Sequence, residues 1–194
     1  MRRILACVSM VGLAGCGGQV PLSTYSMSSS SMDPTLREGD LVAANTLKGV
    51  CGQTRPEPGQ LIVFRRSDGL FYISRAIAGP GHVVAVTQGR LSVDGRPVAT
   101  SEAGSDAGPF GQPTKLIRET LANGSSYLTQ DFGPDGDLDE YGPTVVKDGW
   151  FVMGDSRDNA ADSRVKGPVP GADICGRIVR ILFAKDKSRV GQAL

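Results

Sequence analysis

The chain has 194 residues, and its 21 Lys and Arg against 20 Asp and Glu leave a formal net charge of +1. This length suits one substantial domain, and 40% apolar residues are enough for a real core, which excludes a disordered chain and a miniprotein held only by disulfides. The near-zero charge excludes the broad basic surface that nucleic-acid binding requires. The 26 Gly residues favour turns and short strands, and one His with four Cys leaves little material for a metal site.

The N-terminus has the pattern of an export signal. Arg2 and Arg3 precede an apolar run at residues 4–12, which is shorter than the ~20 residues of a membrane-spanning helix. The sequence LAGC at 13–16 then resembles the lipobox of bacterial lipoproteins. This resemblance implies cleavage before Cys16 and a lipid on the Cys16 thiol, with an ordinary secretory signal peptide as the alternative.

The export signal has consequences for the rest of the chain. We expect residues 1–15 to be a signal peptide, residues 16–24 a tether, and the body to lie in the cell envelope, lipid-anchored to a bacterial membrane. Whether this is the inner or the outer membrane is left open. Because export leads to an oxidising compartment, Cys51 and Cys175 are candidates for a disulfide, although the sequence alone leaves their pairing open.

Short β-like segments separated by turns follow along the mature chain. Asp94-Gly95 and Asn123-Gly124 each lie between two such segments and predict hairpins, because these residues tolerate a positive φ. Residues 100–112 are rich in Gly, Ser and Asp and predict a surface loop. The predicted strands cover residues 40–47, 60–65, 70–78, 83–86, 91–93, 97–100, 115–121, 126–129, 149–153 and 177–183.

Residues 131–142 are acidic and rich in turn formers. Three alternate aspartates, starting at Asp135, are spaced like the beginning of a calcium-binding loop. Glu140 stands where that loop requires Gly, and Val146 stands where it requires Glu. We therefore expect a solvated loop, with a calcium site as the alternative.

Three separated segments carry the residues that point to chemistry. The first is SSSMDPTL at 29–36, followed by Gly39-Asp40; the second is YISRAIAGPG at 72–81; the third is MGDSRDNAADSR at 153–164. In this order and spacing they resemble the type I signal peptidase family of serine proteases. The MDPTL sequence at 32–36 argues against an ordinary Ser-rich linker in the first segment. The third segment also fits a structural turn, in which its Asp and Arg side chains satisfy buried backbone groups and each other.

The resemblance implies an all-β fold. Its core is a coiled antiparallel β-barrel formed by residues 25–84 and 145–185. An inserted β-rich subdomain occupies residues 85–144, and residues 186–194 form a C-terminal tail.

The resemblance also implies a mechanism, with no cofactor and no metal. Ser31 matches the nucleophile, and the Ser29 hydroxyl together with a backbone N–H holds the oxyanion. Asp162 and Arg164 match residues that brace the site. The substrate is an extended peptide, such as a signal-peptide-like segment of an exported protein, which adds as a strand. The residues that match shallow apolar pockets are Met27, Met32, Leu36, Tyr72 and Ile73.

The chain departs from the family pattern at the general base. Ser74 stands where the family has Lys, and a Ser hydroxyl is too weak a base to take a proton from Ser31 near pH 7. Ala160 stands where the family commonly has a Ser that orients this Lys. Lys166 and the single histidine, His82, are alternative bases, and each also fits a solvated surface residue.

Two functions fit this pattern. The first is a serine endopeptidase of the signal peptidase type, acting at a membrane surface with Ser31 and another base. The second is a non-catalytic lipoprotein relative that binds extended peptides or serves as an accessory envelope protein. We predict that cleavage by a Ser–Lys dyad is absent or very weak, because loss of the base from a serine protease lowers the rate by orders of magnitude.

Overall fold

The computed structural model describes residues 22–46, 50–108, 111–133, 136 and 138–194. The predicted signal peptide and Cys16, the predicted lipidation site, lie outside these residues. Across the described ranges, no helix has the length and apolar character to cross a bilayer.

The described chain is built from antiparallel strands, with one single-turn α-helix, α1 (Ser163–Lys166), and two short 3₁₀ helices, Gly171–Asp173 and Lys187–Arg189. The strands are β1 (Leu22–Ser26), β2 (Leu41–Asn45), β3 (Leu61–Arg65), β4 (Phe71–Ala78), β5 (Val83–Thr87), β6 (Arg90–Val93), β7 (Arg96–Pro97), β8 (Ala99–Ala107), β9 (Pro113–Thr120), β10 (Ser126–Asp131), β11 (Tyr141–Val145), β12 (Phe151–Met153) and β13 (Ile174–Phe183).

Three sheets result from the pairing of these strands. The largest has the order β1-β2-β13-β3-β4-β12, the second β10-β9-β8, and the third β11-β5-β6-β7. The all-β antiparallel fold expected from the sequence is confirmed. In the described residues β1 and β12 are the two end strands of the large sheet and do not pair with each other, so this sheet is open.

The interior of the large sheet positions the loop between β1 and β2. Strand β3 is buried from Leu61 to Phe64, as expected of a central strand that is covered on both faces. Met32 and Leu36, from the β1–β2 loop, are fully buried in the same apolar cluster as Leu61. Burial of two large side chains fixes a segment that forms no regular strand, since each contributes roughly 1.5–3 kcal/mol.

A disulfide joins Cys51 to Cys175. Cys175 is fully buried in β13, and Cys51 packs against the same apolar cluster. The bond therefore ties the segment after β2 to the central strand of the large sheet.

Both predicted hairpin turns are confirmed. Asp94 and Gly95 have φ values of +53° and +73° and connect the paired strands β6 and β7. Gly124 has a φ of +86° in the turn between the paired strands β9 and β10.

The predicted loop at residues 100–112 is wrong over most of its length. Ala99–Ala107 forms β8, which pairs with β9 at the edge of the three-stranded sheet. Its residues are small or polar and mostly exposed, and none is a large apolar residue, so the apolar alternation that identifies strands is missing. The strand is instead held by backbone hydrogen bonds, which do not depend on side-chain type.

Two further strands lie where the sequence predicts none. β1 begins at Leu22, inside the predicted tether, and β11 begins at Tyr141, at the end of the predicted acidic loop. Each pairs along one side with an apolar neighbour, β2 and β5 respectively. End strands of this kind carry a weak hydrophobic pattern because only one side of their backbone is paired.

Candidate active site

Six of the ten predicted catalytic and substrate-binding residues line one open groove of about 510 Å³. The β1–β2 loop supplies Ser29 and Ser31, and β4 supplies Tyr72, Ile73 and Ser74. The segment between β12 and α1 supplies Ala160 and Asp162. Segments that are far apart in the sequence therefore meet at one surface.

The segment after β12 holds the chain at Ser30 and Ser31. The Ser156 N–H donates to the Ser31 carbonyl at 3.1 Å, and the Asn159 side chain donates to the Ser30 hydroxyl at 2.9 Å. A Cβ at Gly154 would lie 2.6 Å from the Ser31 carbonyl oxygen, so only glycine permits this close approach.

The hydroxyl oxygens of Ser29 and Ser31 lie 3.1 Å apart, within hydrogen-bonding distance. Ser31 is half-buried and Ser29 is exposed. The nucleophile candidate and the oxyanion candidate therefore share one hydrogen bond at the surface of the groove.

Ser74, the residue at the position predicted for the base, faces the same groove. Ser74 is buried, at 8% exposure, in β4, and Ala160 is buried at 6%. The described residues that line the groove include no lysine and no histidine. The groove thus holds two hydroxyls from the β1–β2 loop and one from β4, without a nitrogen base beside them.

The two alternative bases lie elsewhere. The His82 Nδ1 is 2.8 Å from the Asp94 carboxylate, at an exposed position beside the β6–β7 turn. Lys166 is exposed at the end of α1 and lines a neighbouring pocket rather than the groove. Neither residue contributes to the lining of the groove around Ser31.

Asp162 and Arg164 brace the end of β12. The Asp162 carboxylate accepts the Gly154 N–H at 2.9 Å and caps α1 by accepting the Arg164 N–H at 3.0 Å. The Arg164 guanidinium binds the same carboxylate at 2.8 Å and donates to the Arg157 carbonyl at 2.6 Å. The pair is almost fully buried, and it fixes the turn whose backbone holds Ser31.

Arg75, the neighbour of Ser74, points away from the groove into a buried network. Its guanidinium forms an ion pair with Asp155 and donates to the Gly59 carbonyl at 2.6 Å and to the Thr35 hydroxyl at 3.3 Å. Successive strand residues face opposite sides of a sheet. The network therefore orients β4 so that Ser74 faces the groove.

The predicted apolar residues fall into two groups. Tyr72 and Ile73 line the groove, whereas Met27, Met32 and Leu36 are buried in the core cluster that also contains Ile73. A role for these three side chains in forming substrate pockets stays a prediction.

The C-terminal tail has a role that sequence reasoning missed. The Arg189 guanidinium binds the Asp40 carboxylate at 2.8 Å and the Thr35 carbonyl at 2.7 Å. Both partners belong to the loop that carries Ser31. A lone arginine near the end of the chain gives no sequence signal for such a contact.

Asp33 also lies in this loop. Its side chain is 9% exposed, and its Oδ1 atom finds no hydrogen-bond donor in the described chain. Burial raises the pKa of Asp33 to about 6, although the nearby Arg37 guanidinium opposes this change.

Comparison with known proteins gives a consistent set of relatives. The model of the family described as "Signal peptidase, peptidase S26" matches residues 1–183. The chain is 30% identical to Signal peptidase I of Rickettsia typhi over 147 residues. The aligned region covers 71% of this chain and 56% of that protein. The chain is 29% identical over 176 residues to Signal peptidase I of Pseudomonas aeruginosa, covering 79% and 62%.

A further relative carries a different name. The chain is 32% identical over 149 residues to Inactive signal peptidase IA of Staphylococcus aureus, covering 77% of this chain and 72% of that protein. By contrast, it spans a little over half the length of the Rickettsia protein and 62% of the Pseudomonas protein.

Proposed function

The chain belongs to the signal peptidase family, peptidase S26, and on that premise we propose that it binds extended segments of exported proteins in the groove around Ser31, without cleaving them by a Ser–Lys dyad. Cell-envelope placement by a lipid on Cys16 is part of the same proposal. It is supported by the sequence pattern at 13–16.

The observation that carries the proposal is the composition of the groove. Ser29, Ser31 and Ser74 meet there without a lysine or histidine among its described lining residues. A serine nucleophile requires a base of suitable pKa within hydrogen-bonding reach of its hydroxyl. The three hydroxyls offer hydrogen bonds to a bound peptide, but neither Ser29 nor Ser74 is basic enough to take the Ser31 proton near pH 7.

The strand pairing supports peptide binding. β12 pairs with β4 only from Arg75 to Ala78, while β3 pairs with the whole stretch from Phe71 to Arg75 on the other side. Within the described residues, the second edge of β4 from Phe71 to Ser74 is therefore unpaired. An extended peptide can add to such an edge as a further strand, with backbone hydrogen bonds providing affinity.

Serine endopeptidase activity with a different base is the second candidate function. It is favoured by the hydrogen bond between Ser29 and Ser31 and by the Signal peptidase I relatives. Lys166 is the candidate base, because its pocket shares Tyr72 and Ala161 with the groove.

Binding and cleavage of one labelled peptide distinguish the two functions. The full chain is titrated against a peptide with a signal-peptide cleavage segment, with fluorescence anisotropy for binding and mass spectrometry for products. We expect saturable binding without products. Tyr72→Ala should weaken binding about 5- to 10-fold by removing an aromatic contact, whereas Phe183→Ala, which removes another exposed aromatic side chain, should not.

Two results would contradict the proposal. Turnover by the wild-type chain that disappears in Ser31→Ala would establish the endopeptidase, and loss of that turnover in Lys166→Gln would identify its base. No binding by a folded wild-type chain would refute the peptide-binding role.

A further inference from the structure

Arg66 lies at the junction of the groove and its neighbouring pocket. It lines both the groove around Ser31 and the adjoining pocket, which has a volume of about 540 Å³. Its guanidinium carbon lies 5.2 Å from the centre of the Phe64 ring and 5.7 Å from the centre of the Tyr72 ring. Because Tyr72 lines the groove, these contacts hold the cation beside the space that a bound peptide would occupy.

The guanidinium has unused hydrogen-bonding capacity. In the described part of the chain no carboxylate lies within 4.0 Å of it, and no hydrogen bond to its side chain is formed. An arginine carries five N–H donors in a planar fork that matches a carboxylate. Arg66 is half-buried, so part of this charge is already withdrawn from water.

Three of the carboxylates that line the groove or the adjoining pocket accept hydrogen bonds from other donors. Asp68 accepts the Tyr72 hydroxyl at 2.6 Å and the Leu70 N–H at 2.8 Å. In the groove, Asp162 is paired with Arg164, and Asp158 accepts the Phe132 N–H at 2.7 Å.

The adjoining pocket has an excess of positive charge. Arg65, Arg66 and Lys166 line it, against Asp68 and Asp173. Asp68 stays ionised and attracts Arg66, because its hydrogen bonds lower the pKa of its carboxyl, but the lining still has three cations against two carboxylates. The pocket therefore favours an anionic group near Arg66.

From this arrangement we infer that Arg66 forms a carboxylate-binding subsite of the groove and makes the chain prefer peptides with an acidic group at one position. The inference rests on the proposed peptide binding. The acidic group is either an Asp or Glu side chain or the C-terminal carboxylate of the peptide, since both offer two oxygens to the guanidinium fork.

A series of matched peptides tests the inference. Each peptide is about twelve residues long, labelled, amidated at the C-terminus and neutral except for one Glu. The position of this Glu changes from peptide to peptide, and each peptide has a twin, which is identical except for Gln in place of Glu. A further pair is neutral and differs only in a free or an amidated C-terminus. Anisotropy titrations use the full-length wild-type chain, Arg66→Gln and Arg66→Lys.

Arg118→Gln is the matched control, because Arg118 is an exposed arginine of β9 that does not line the groove. For the wild type we expect one Glu placement to bind about 5- to 20-fold more tightly than its Gln twin, as for a charge-assisted hydrogen-bonded pair. The preference should disappear in Arg66→Gln, be reduced in Arg66→Lys, remain in Arg118→Gln, and decrease with added salt.

The peptide series separates the two sources of the acidic group. Preference for a Glu placement assigns the subsite to a side chain, and preference for the free C-terminus assigns it to a chain end. Equal binding of all twins by the wild type, or a preference that survives in Arg66→Gln, would overturn the inference while leaving peptide binding established. If no peptide binds, the proposed function itself has failed, and the subsite fails with it.

Discussion

The guanidinium of Arg157 forms two hydrogen bonds to the carboxylate of Glu119, and both side chains are buried. Arg157 belongs to the turn after β12 that holds Ser31, whereas Glu119 lies in β9 of the three-stranded sheet. The Tyr127 hydroxyl donates to the same carboxylate at 3.0 Å. One buried ion pair thus connects the candidate active site to the sheet formed by the inserted region.

Glu119→Gln should lower the free energy of unfolding by about 3–5 kcal/mol, because it leaves the buried Arg157 cation without its partner. Tyr127→Phe should lower it by about 1 kcal/mol, since only one hydrogen bond to this carboxylate is lost. Chemical denaturation provides the measurement. Glu102→Gln serves as control on the exposed strand β8 and should change stability by less than about 0.5 kcal/mol. A Glu119→Gln variant as stable as this control would show that the pair contributes nothing.

The sequence predicts the parts of the site that lie in compact segments. Ser29 and Ser31 lie in one short motif, and Asp162 and Arg164 in another, so the family resemblance that these motifs carry is enough to predict them. Arg66 and Arg189 could not be found in this way. Arg66 contacts the ring of Tyr72 on the neighbouring strand, and Arg189 binds Asp40, which is distant in the sequence. An isolated arginine has no local sequence pattern that would predict such a contact.

The same distinction applies to the fold. The hairpin at Asp94-Gly95 was predictable because its turn requires a positive φ, which few residues tolerate. β8 could not be predicted, because it contains no large apolar residues that would alternate with its polar ones, and its pairing depends on β9.

The disulfide offers a test of how firmly the large sheet is held. Cys51 and Cys175 are 124 residues apart in the sequence, so their bond restricts a large part of the unfolded chain. Cys51→Ala combined with Cys175→Ala should lower the free energy of unfolding by about 2–5 kcal/mol. The free energy of unfolding should differ by about the same amount between the oxidised and the reduced wild type, as measured by thermal unfolding. Addition of reductant should not affect the double variant; a reductant effect that persists there would assign the change to another group.

Asp33 should make stability depend on pH. Its pKa is raised to about 6 by burial, above the ~3.9 of an unfolded aspartate. Below about pH 4 the carboxyl is protonated in both states and contributes no difference. As the pH rises from 4 to 6 the unfolded state ionises first, so the folded state is progressively disfavoured, by about 2–3 kcal/mol above pH 6.

Asp33→Asn should remove this dependence. The variant should be more stable than the wild type at pH 7.5, and the difference should vanish near pH 4, as measured by denaturant unfolding at each pH. A constant difference across this range would mean that Asp33 affects stability through packing or through Arg37 rather than through its own ionisation.

Introducing a lysine at the position predicted for the base provides the most direct test of the groove. Ser74→Lys places an amine in a strand position that faces the groove, and Ala160→Ser adds the hydroxyl that orients such a lysine in the family pattern. Burial at this position, 8% for Ser74, lowers the pKa of a lysine and leaves part of it neutral near pH 7. We expect the double variant to cleave a signal-peptide substrate at least about 100-fold faster than the wild type.

The added Ser31→Ala substitution should abolish this gained cleavage. The new amine only takes a proton from the Ser31 hydroxyl, and it is the Ser31 oxygen that attacks the peptide. Ala160→Ser alone should gain nothing, since it supplies no base. Mass spectrometry of the products reports both the rate and the cleavage position. A folded double variant that binds the peptide without cleaving it would show that the Ser29–Ser31 pair, and not only the base, has lost the geometry required for attack.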